Sequence, residues 1–210
     1  LKLNSLSKLT ASIAHEIRNP LGAISHAAQL LTESNTVDAA DGILCEILVS
    51  NSRRVSDIID NVSEVSRRQA PKPAEILLNR WLPDYVDEYR SLQQQRSDIV
   101  ISDLKEPFIA ILMDQEHLKR TLSNLLDNAL RHSLEDCDCS RIRFDTTMDK
   151  QTSQVHLDIV DFGLGVAEYN LTRLFEPFFT TSNHGSGLGL YLCKELCEIN
   201  GARLSYRRTD

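Results

Sequence analysis

The run Ala14-His15-Glu16-Ile17-Arg18-Asn19-Pro20 sets an imidazole, a carboxylate and a carboxamide close together on one stretch of chain. On a helical wheel His15 falls about 200° from Ile13, so it points away from the apolar stripe and into solvent. An exposed imidazole is largely neutral at neutral pH and is a competent nucleophile. Glu16 can accept a hydrogen bond from its Nδ1, which leaves the Nε2 lone pair to attack. Asn19 lies one turn on and reaches the same patch. Pro20 deletes a helical hydrogen bond and should bend or loosen the helix just past the site. A lone surface histidine is usually inert, so this run gains meaning only from the motifs in the rest of the chain. A zinc-protease helix is excluded, because its second histidine would have to stand where Asn19 does.

Three further runs suit a nucleotide. In Asn124-Leu125-Leu126-Asp127-Asn128-Ala129-Leu130-Arg131-His132 the two asparagines are four apart and share a helix face. Their neutral amide oxygens suit a magnesium ion that already carries triphosphate charge. Arg131 and His132 can reach phosphate. Alone, such spacing is common on any solvated helix. Asp161-Phe162-Gly163-Leu164-Gly165 follows a β-prone run. A carboxylate there can accept a hydrogen bond from the adenine amino group, and Gly163 and Gly165 let backbone approach the ring. The DFG motif of eukaryotic protein kinases is excluded, since the VAIK-type lysine strand and the HRD loop are missing upstream. Gly185-Ser186-Gly187-Leu188-Gly189-Leu190 opens a helix, where amide groups and the helix dipole can cradle phosphate. A dinucleotide fingerprint would follow a strand; here Thr180, Thr181, Ser182 and Asn183 precede the glycines. Leu174-Phe175-Glu176-Pro177-Phe178-Phe179 reads as an apolar anchor that hinges a flap over the site.

The elements that must position these groups fall into two halves. Residues 5–69 read as two long helices. Ile13, Ile17, Ile24 and Leu31, with Leu6 and Ala28, form one stripe. Leu44, Leu48, Asn51, Val55, Ile58, Val62 and Val65 form a heptad seam in the second helix. Two helices bury only one stripe each, so the hairpin most simply pairs with a second copy as a four-helix bundle. Asn51 either fixes register within that seam or faces a wet end of the bundle. Arg67 to Pro73 reads as a linker. Residues 76–210 alternate β-prone runs (Ile76–Leu78, Ile99–Ser102, Phe108–Met113, Ile142–Thr147, Val155–Asp161) with helical stretches near Trp81–Gln94, Asp114–His132 and Leu188–Asn200. Asp114 is a candidate N-cap. The pattern is α+β overall, a helical hairpin followed by a mixed sheet covered on one face by helices.

The 210 residues carry a net charge of −7, and since residues 1–73 sum to zero the excess is all in the second half. An acidic chain without a basic stripe is a poor candidate for direct nucleic-acid binding. No apolar run is long enough to span a bilayer. The first residue is Leu and no secretory signal precedes the hairpin, so the chain is expected to begin within a longer protein. Five cysteines, Cys45, Cys137, Cys139, Cys193 and Cys197, at scattered spacings argue for a reducing compartment rather than a disulfide framework, and no histidine joins them at zinc spacing.

In this order the five motifs resemble the H, N, G1, F and G2 boxes of the sensor histidine kinases of two-component systems. The first helix and the stretch Leu174–Leu196 look most like the members that control type IV pilus genes. The resemblance implies a dimerisation and histidine-phosphotransfer hairpin over 1–70, a linker over 71–75, and over 76–210 a catalytic domain with the α/β-sandwich ATP-binding fold shared with gyrase, Hsp90 and MutL. It implies His15 as phosphoacceptor, Glu16 as the group that assists proton removal, and Asn19 as the residue that positions water when such a kinase acts as a phosphatase. Asn124 and Asn128 would contact magnesium and phosphate, and Asp161 would read adenine. Arg131, His132, Gly163, Gly165, Gly185, Gly187, Leu188 and Gly189 complete the implied ATP site, with ATP and Mg2+ as cofactors. The implied partners are a second copy of the chain and the receiver domain of a response regulator, a transcriptional activator of pilus genes on the nearer resemblance. The parent protein would be anchored in the bacterial inner membrane, with this part in the cytoplasm.

The chain departs from the family pattern in three ways. It carries no sensor segment. It stops at Asp210 after an expected strand over Ala202–Arg208, where family members continue through another strand, so an open sheet edge is expected. The lid between Phe179 and Gly185 is short. Two other functions compete with the kinase reading. A phosphatase or docking scaffold would be signalled by a lesion in Asn128, Asp161 or the glycine turn, and none is present. A gyrase- or Hsp90-type ATPase clamp would not need the hairpin that bears His15.

Overall fold

Apolar seams decide the N-terminal half. The computed structural model describes residues 17–31, 39–66, 70–92, 98–101, 109–133, 141–149, 151–181 and 185–208; His15, Glu16, Cys137, Cys139 and residues 182–184 of the lid lie outside them. Helix α1 (residues 17–31) continues through Pro20, whose ring is buried in the seam. Ile17, Ile24 and Leu31 are half-buried and Ala27 is buried, whereas Ala28 is exposed. The covered side of α1 thus centres on Pro20 and Ala27, and Ala28 sits at the far margin of the same stripe. In α2 (Ala39–Ser66) Leu44, Leu48, Asn51 and Val55 are half-buried and Ile58 is fully buried. The side chains of Val62 and Val65 lie outside the described residues. Asn51 donates its Nδ2 to the Ile47 carbonyl at 2.8 Å, so its amide is satisfied within its own helix.

The chain divides into two compact units, residues 1–69 with 172–192 and residues 70–171 with 193–210. In the second, β1 (Pro73–Leu77) pairs antiparallel with β3 (Ala110–Asp114), Pro73 opposite Asp114 and Leu77 opposite Ala110. Proline is tolerated as the first residue of a strand. A second sheet has the order β2 (Asp98–Ile101), β4 (Arg141–Asp149), β5 (Gln154–Asp161), with β2 parallel and β5 antiparallel to β4. Among the described residues the expected single sheet is therefore two. Helix α3 (Leu78–Leu92) begins three residues earlier than expected. The Leu78 amide still donates to the Ile109 carbonyl at 2.8 Å, and Asn79 Oδ1 accepts from the Ile109 amide at 2.9 Å. The β1–β3 pairing therefore runs directly into the helix, and the apolar Ile76-Leu77-Leu78 run conceals the change.

Helix α4 (Gln115–Ser133) lies against β1, β3, β4 and β5. Leu82, Ile99, Ile109, Ile142 and Phe144, with Leu126 of α4 itself, are sealed in the core. Each such side chain contributes about 1.5–3 kcal/mol on burial. A short helix α5 (Glu168–Leu171) follows β5, and α6 (Gly189–Ile199) comes after the glycine run. Residues 202–208 form no ladder, contrary to the expected strand. Leu204 and Tyr206 are half-buried between exposed neighbours, but attachment runs through side chains, with Arg207 Nη2 2.8 Å from Asp158 Oδ2 of β5. No helix among the described residues is long and apolar enough to cross a membrane.

Candidate functional site

The helix that carries Asn124 and Asn128 is fixed at its start by Asp114. Its Oδ1 accepts from the amides of Glu116 and His117 at 3.0 and 3.2 Å, the N-cap arrangement expected from the sequence. Its Oδ2 accepts from the Lys72 amide at 2.7 Å, tying down the chain entering β1. Slight burial disfavours the carboxylate, but the amides of Lys72, His117 and Glu116 outweigh it and hold Asp114 below the usual carboxylate range. Asn200, just past α6, closes the cluster. Its Oδ1 accepts from the Asp114 amide at 2.9 Å, and its Nδ2 donates to the Leu196 carbonyl at 2.7 Å and lies 3.0 Å from His117 Nδ1.

An aromatic ladder on α3 holds the middle of α4. Trp81 stacks on Tyr85 with ring centroids 5.2 Å apart, and Tyr89 follows at 6.2 Å. Tyr85 Oη is 2.9 Å from Ser123 Oγ, and Tyr89 donates to Asp127 Oδ1 at 2.5 Å. Burial pushes the Tyr85 phenol up to about 12, so it stays protonated and can donate. Lys119 and Glu88 add a 2.9 Å ion pair at the surface. These anchors were legible only as the Trp81, Tyr85, Tyr89 spacing of four, which marks one helix face. Asp127, beside Asn128, is the acceptor that sequence reasoning missed.

Asn124 and Asn128 are both half-buried on α4, and Arg131 is exposed one turn further on. Asn124 Nδ2 donates to the Arg120 carbonyl at 3.1 Å, so its carbonyl oxygen is the group it offers a ligand. His132 lies in the last turn of the helix. Asp161 ends β5 and is exposed. Its Oδ1 accepts from the Gly163 amide at 3.0 Å, an Asx turn that leaves the other carboxylate oxygen for a ligand. Gly165 adopts φ 73°, which a side chain would resist. Asp161, Gly163 and Gly165 thus belong to one turn.

The glycine run belongs to the first unit. Gly185 and Leu188 are buried, and Gly187 has φ 68°. The Phe178 amide donates to the Gly187 carbonyl at 2.9 Å, so the aromatic run and the glycine run are joined through backbone. The Arg173 guanidinium lies 4.7 Å from the Phe179 ring centroid and pairs with Glu176 at 3.2 Å. The aromatic run thus does more than anchor by burial: it forms the base on which the glycine turn rests. Gly189 opens α6, whose first amides have no partner within the helix and suit phosphate.

Among the described residues no group of three or more His, Cys, Asp or Glu is placed to hold a metal. The amide oxygens of Asn124 and Asn128 suit an ion that arrives bound to phosphates. Asn19 is exposed on α1. His15 and Glu16, the candidate phosphoacceptor and its neighbour, lie outside the described residues.

Comparison with known proteins accounts for these parts. Residues 5–71 match the His Kinase A (phospho-acceptor) domain, and residues 113–210 match the histidine kinase-, DNA gyrase B-, and HSP90-like ATPase family. The chain therefore belongs to the histidine kinases, an N-terminal phosphoacceptor domain joined to an ATPase-type catalytic domain. It is 44% identical over all 210 residues to the sensor protein kinase PilS of Pseudomonas aeruginosa, covering 39% of that protein. It is 29% identical over 195 residues to the signal transduction histidine-protein kinase AtoS of Escherichia coli, covering 93% of this chain and 31% of the relative. The chain thus spans well under half the length of these relatives. A solved structure of histidine kinase ThkA in complex with response regulator protein TrrA matches 96% of the chain and 57% of that protein, with TM-score 0.74 and 23% identity, a likeness of fold.

Proposed function

We propose that this chain is the transmitter part of a sensor histidine kinase that moves the γ-phosphate of ATP onto His15 and then onto an aspartate of a response regulator. One observation carries the reading: the phosphoacceptor and ATPase families match the same chain, in order, over residues 5–71 and 113–210. His15 Nε2 attacks the γ-phosphorus, the bond to the β,γ-bridging oxygen breaks, and ADP leaves. Glu16 takes the Nδ1 proton of the phosphorylated ring. Asp161 reads adenine, Gly163 and Gly165 shape that turn, and Gly185, Gly187, Leu188 and Gly189 hold phosphate at the start of α6. Asn124 and Asn128, with Arg131 and His132 nearby, hold Mg2+ and phosphate; the ion supplies charge neutralisation for the transferring group. Positioning and that neutralisation carry most of the rate.

The domain limits in this reading are 1–70 for the dimerisation and phosphotransfer hairpin, 71–75 for the linker, and 76–210 for catalysis. A homodimer is supported by the exposed apolar side chains of α2, with Ile43 61%, Val49 51% and Ile59 50% exposed. A regulator partner is supported by a solved structure of a kinase of this fold in complex with its response regulator. ATP as substrate is supported by the likeness in fold to histidine kinase ShkA, solved with AMPPNP at TM-score 0.59. Asn19 would position water for dephosphorylation of the regulator, which we take to be a transcriptional activator of pilus genes. In this reading the chain is the cytoplasmic end of a sensor anchored in the inner membrane.

The test is incubation with magnesium and γ-labelled ATP, followed by acid and alkali treatment of the chain. Label that is lost in acid, survives alkali and is absent from His15→Ala supports the assignment. Persistence of the label in His15→Ala would overturn it.

A further inference from the structure

We propose that Tyr206 is a positioning residue for the adenine-binding turn, its hydroxyl fixing the backbone at Gly165 and Val166 so that Asp161 meets the base in one orientation. The inference rests on the nucleotide reading above. The turn has a support at each end. At its start Asp161 Oδ1 accepts from the Gly163 amide at 3.0 Å. At its end the Val166 amide donates to Tyr206 Oη at 3.0 Å. The same phenol oxygen lies 3.1 Å from the place a Cβ on Gly165 would occupy, with Arg208 Nε 3.9 Å away. The hydroxyl is thus wedged against the bare α-carbon of a residue at φ 73°.

Among the described residues, the turn gains little from its own two largest side chains. Phe162 and Leu164 are 58% and 76% exposed, so they add little packing. Tyr206 itself is half-buried in the segment that forms no ladder. A base-reading carboxylate on a short turn binds well only if the turn is ordered before the ligand arrives, because ordering it on binding lowers affinity. Tyr206, 40 residues along the chain from Val166, supplies that order from a segment in which no ligand-binding motif is found.

The test uses Tyr206→Phe in the 210-residue chain, which keeps the ring and removes the hydroxyl. Binding of AMPPNP and of inorganic tripolyphosphate is measured with magnesium present, alongside thermal unfolding. The expected result is AMPPNP binding weaker by about three- to tenfold, the loss of one hydrogen bond, with tripolyphosphate binding and the unfolding temperature close to the parent's. Gly165→Ala should weaken AMPPNP binding less in the Tyr206→Phe background than alone, since the oxygen its Cβ would meet is gone. AMPPNP binding equal to the parent's, while Asp161→Asn loses it, would overturn the role of Tyr206 and leave the adenine site standing. Equal weakening of both ligands would also overturn it, as general destabilisation. If the parent binds no AMPPNP, the nucleotide reading falls and this inference with it.

Discussion

Phe178 and Gly187 are joined by a 2.9 Å hydrogen bond from the Phe178 amide to the Gly187 carbonyl, and both lie in the left-handed region, at φ 65° and 68°. For a bulky aromatic residue that conformation costs on the order of 1–3 kcal/mol and persists only where surroundings enforce it. Here the enforcement is close packing. A Cβ on Gly187 would lie 2.4 Å from the Phe178 carbonyl carbon and 2.7 Å from its Cα and oxygen. The loop between them therefore starts and ends at one point, with no side chain separating its ends.

Gly187→Ala should consequently cost more than a backbone preference. The Cβ must push apart two backbone segments in addition to holding a positive φ, so AMPPNP binding should fall by at least about tenfold. Gly42 is the contrasting position, helical and with nothing within 4 Å of an added Cβ. Gly42→Ala should stabilise the chain by about 0.5–1 kcal/mol. Thermal unfolding and a nucleotide titration on both variants check the pair; a Gly187→Ala protein that binds AMPPNP like the parent would show that the joined loop base is not part of the phosphate site.

Asp161→Asn separates base recognition from phosphate recognition. The substitution keeps an acceptor oxygen for the Gly163 amide but replaces the carboxylate that would face the adenine amino group. Binding of ATP should weaken by at least about tenfold, since hydrogen bonds to charged groups are worth roughly 1.5–3 kcal/mol, while inorganic triphosphate should bind as before. Calorimetric titration of both ligands decides this, and equal losses would remove Asp161 from the adenine role.

What could be read from the sequence was what local pattern encodes. Asp114 as an N-cap follows from its place before an amphipathic run, and the Asp161, Gly163 and Gly165 turn follows from residue type alone. Tyr206 against Gly165, Tyr89 on Asp127, and Phe178 on Gly187 are contacts between segments apart in sequence, and no spacing encodes them. The Leu78 boundary was missed because an apolar strand end and an apolar helix start look alike. The expected strand over Ala202–Arg208 shows the converse: alternating burial is present, but without a backbone ladder.

Asp114 should set an acid limit on stability. Its folded-state value lies below the ordinary 3.8, so its contribution is fully present above about pH 5 and is lost progressively as pH falls through the unfolded and then the lower folded value. Asp114→Ala removes the cap and the hold on Lys72, and should destabilise by about 0.5–2 kcal/mol at neutral pH. The difference from the parent should shrink as the pH is taken down toward 3. Trp81, the sole tryptophan and half-buried on α3, reports the urea transition at each pH. A gap between the two proteins that is constant from pH 7 to 3 would show that the charge of Asp114 does not act as described.

Cys193 and Cys197 should behave as core residues rather than as thiols. Both are buried on α6, and Cys193 Sγ lies 3.6 Å from the Thr121 carbonyl of α4. Burial pushes the Cys193 thiol up to about 12 and raises Cys197 as well. The thiolate is the reactive form, so neither should alkylate in the folded chain at pH 8, whereas the exposed Cys45 should. With Cys137 and Cys139 replaced by serine, mass spectrometry after iodoacetamide treatment should find one label on the folded chain and three after denaturation. The same shift works against the fold in alkali. The unfolded thiol ionises near 9.0 and the folded one only near 12, so stability declines as pH rises across that interval. Cys193→Ala should lessen the decline, though the cavity it leaves lowers stability at pH 7. Rapid labelling of Cys193 in the folded chain would mean that α6 separates from α4 far more readily than this packing allows.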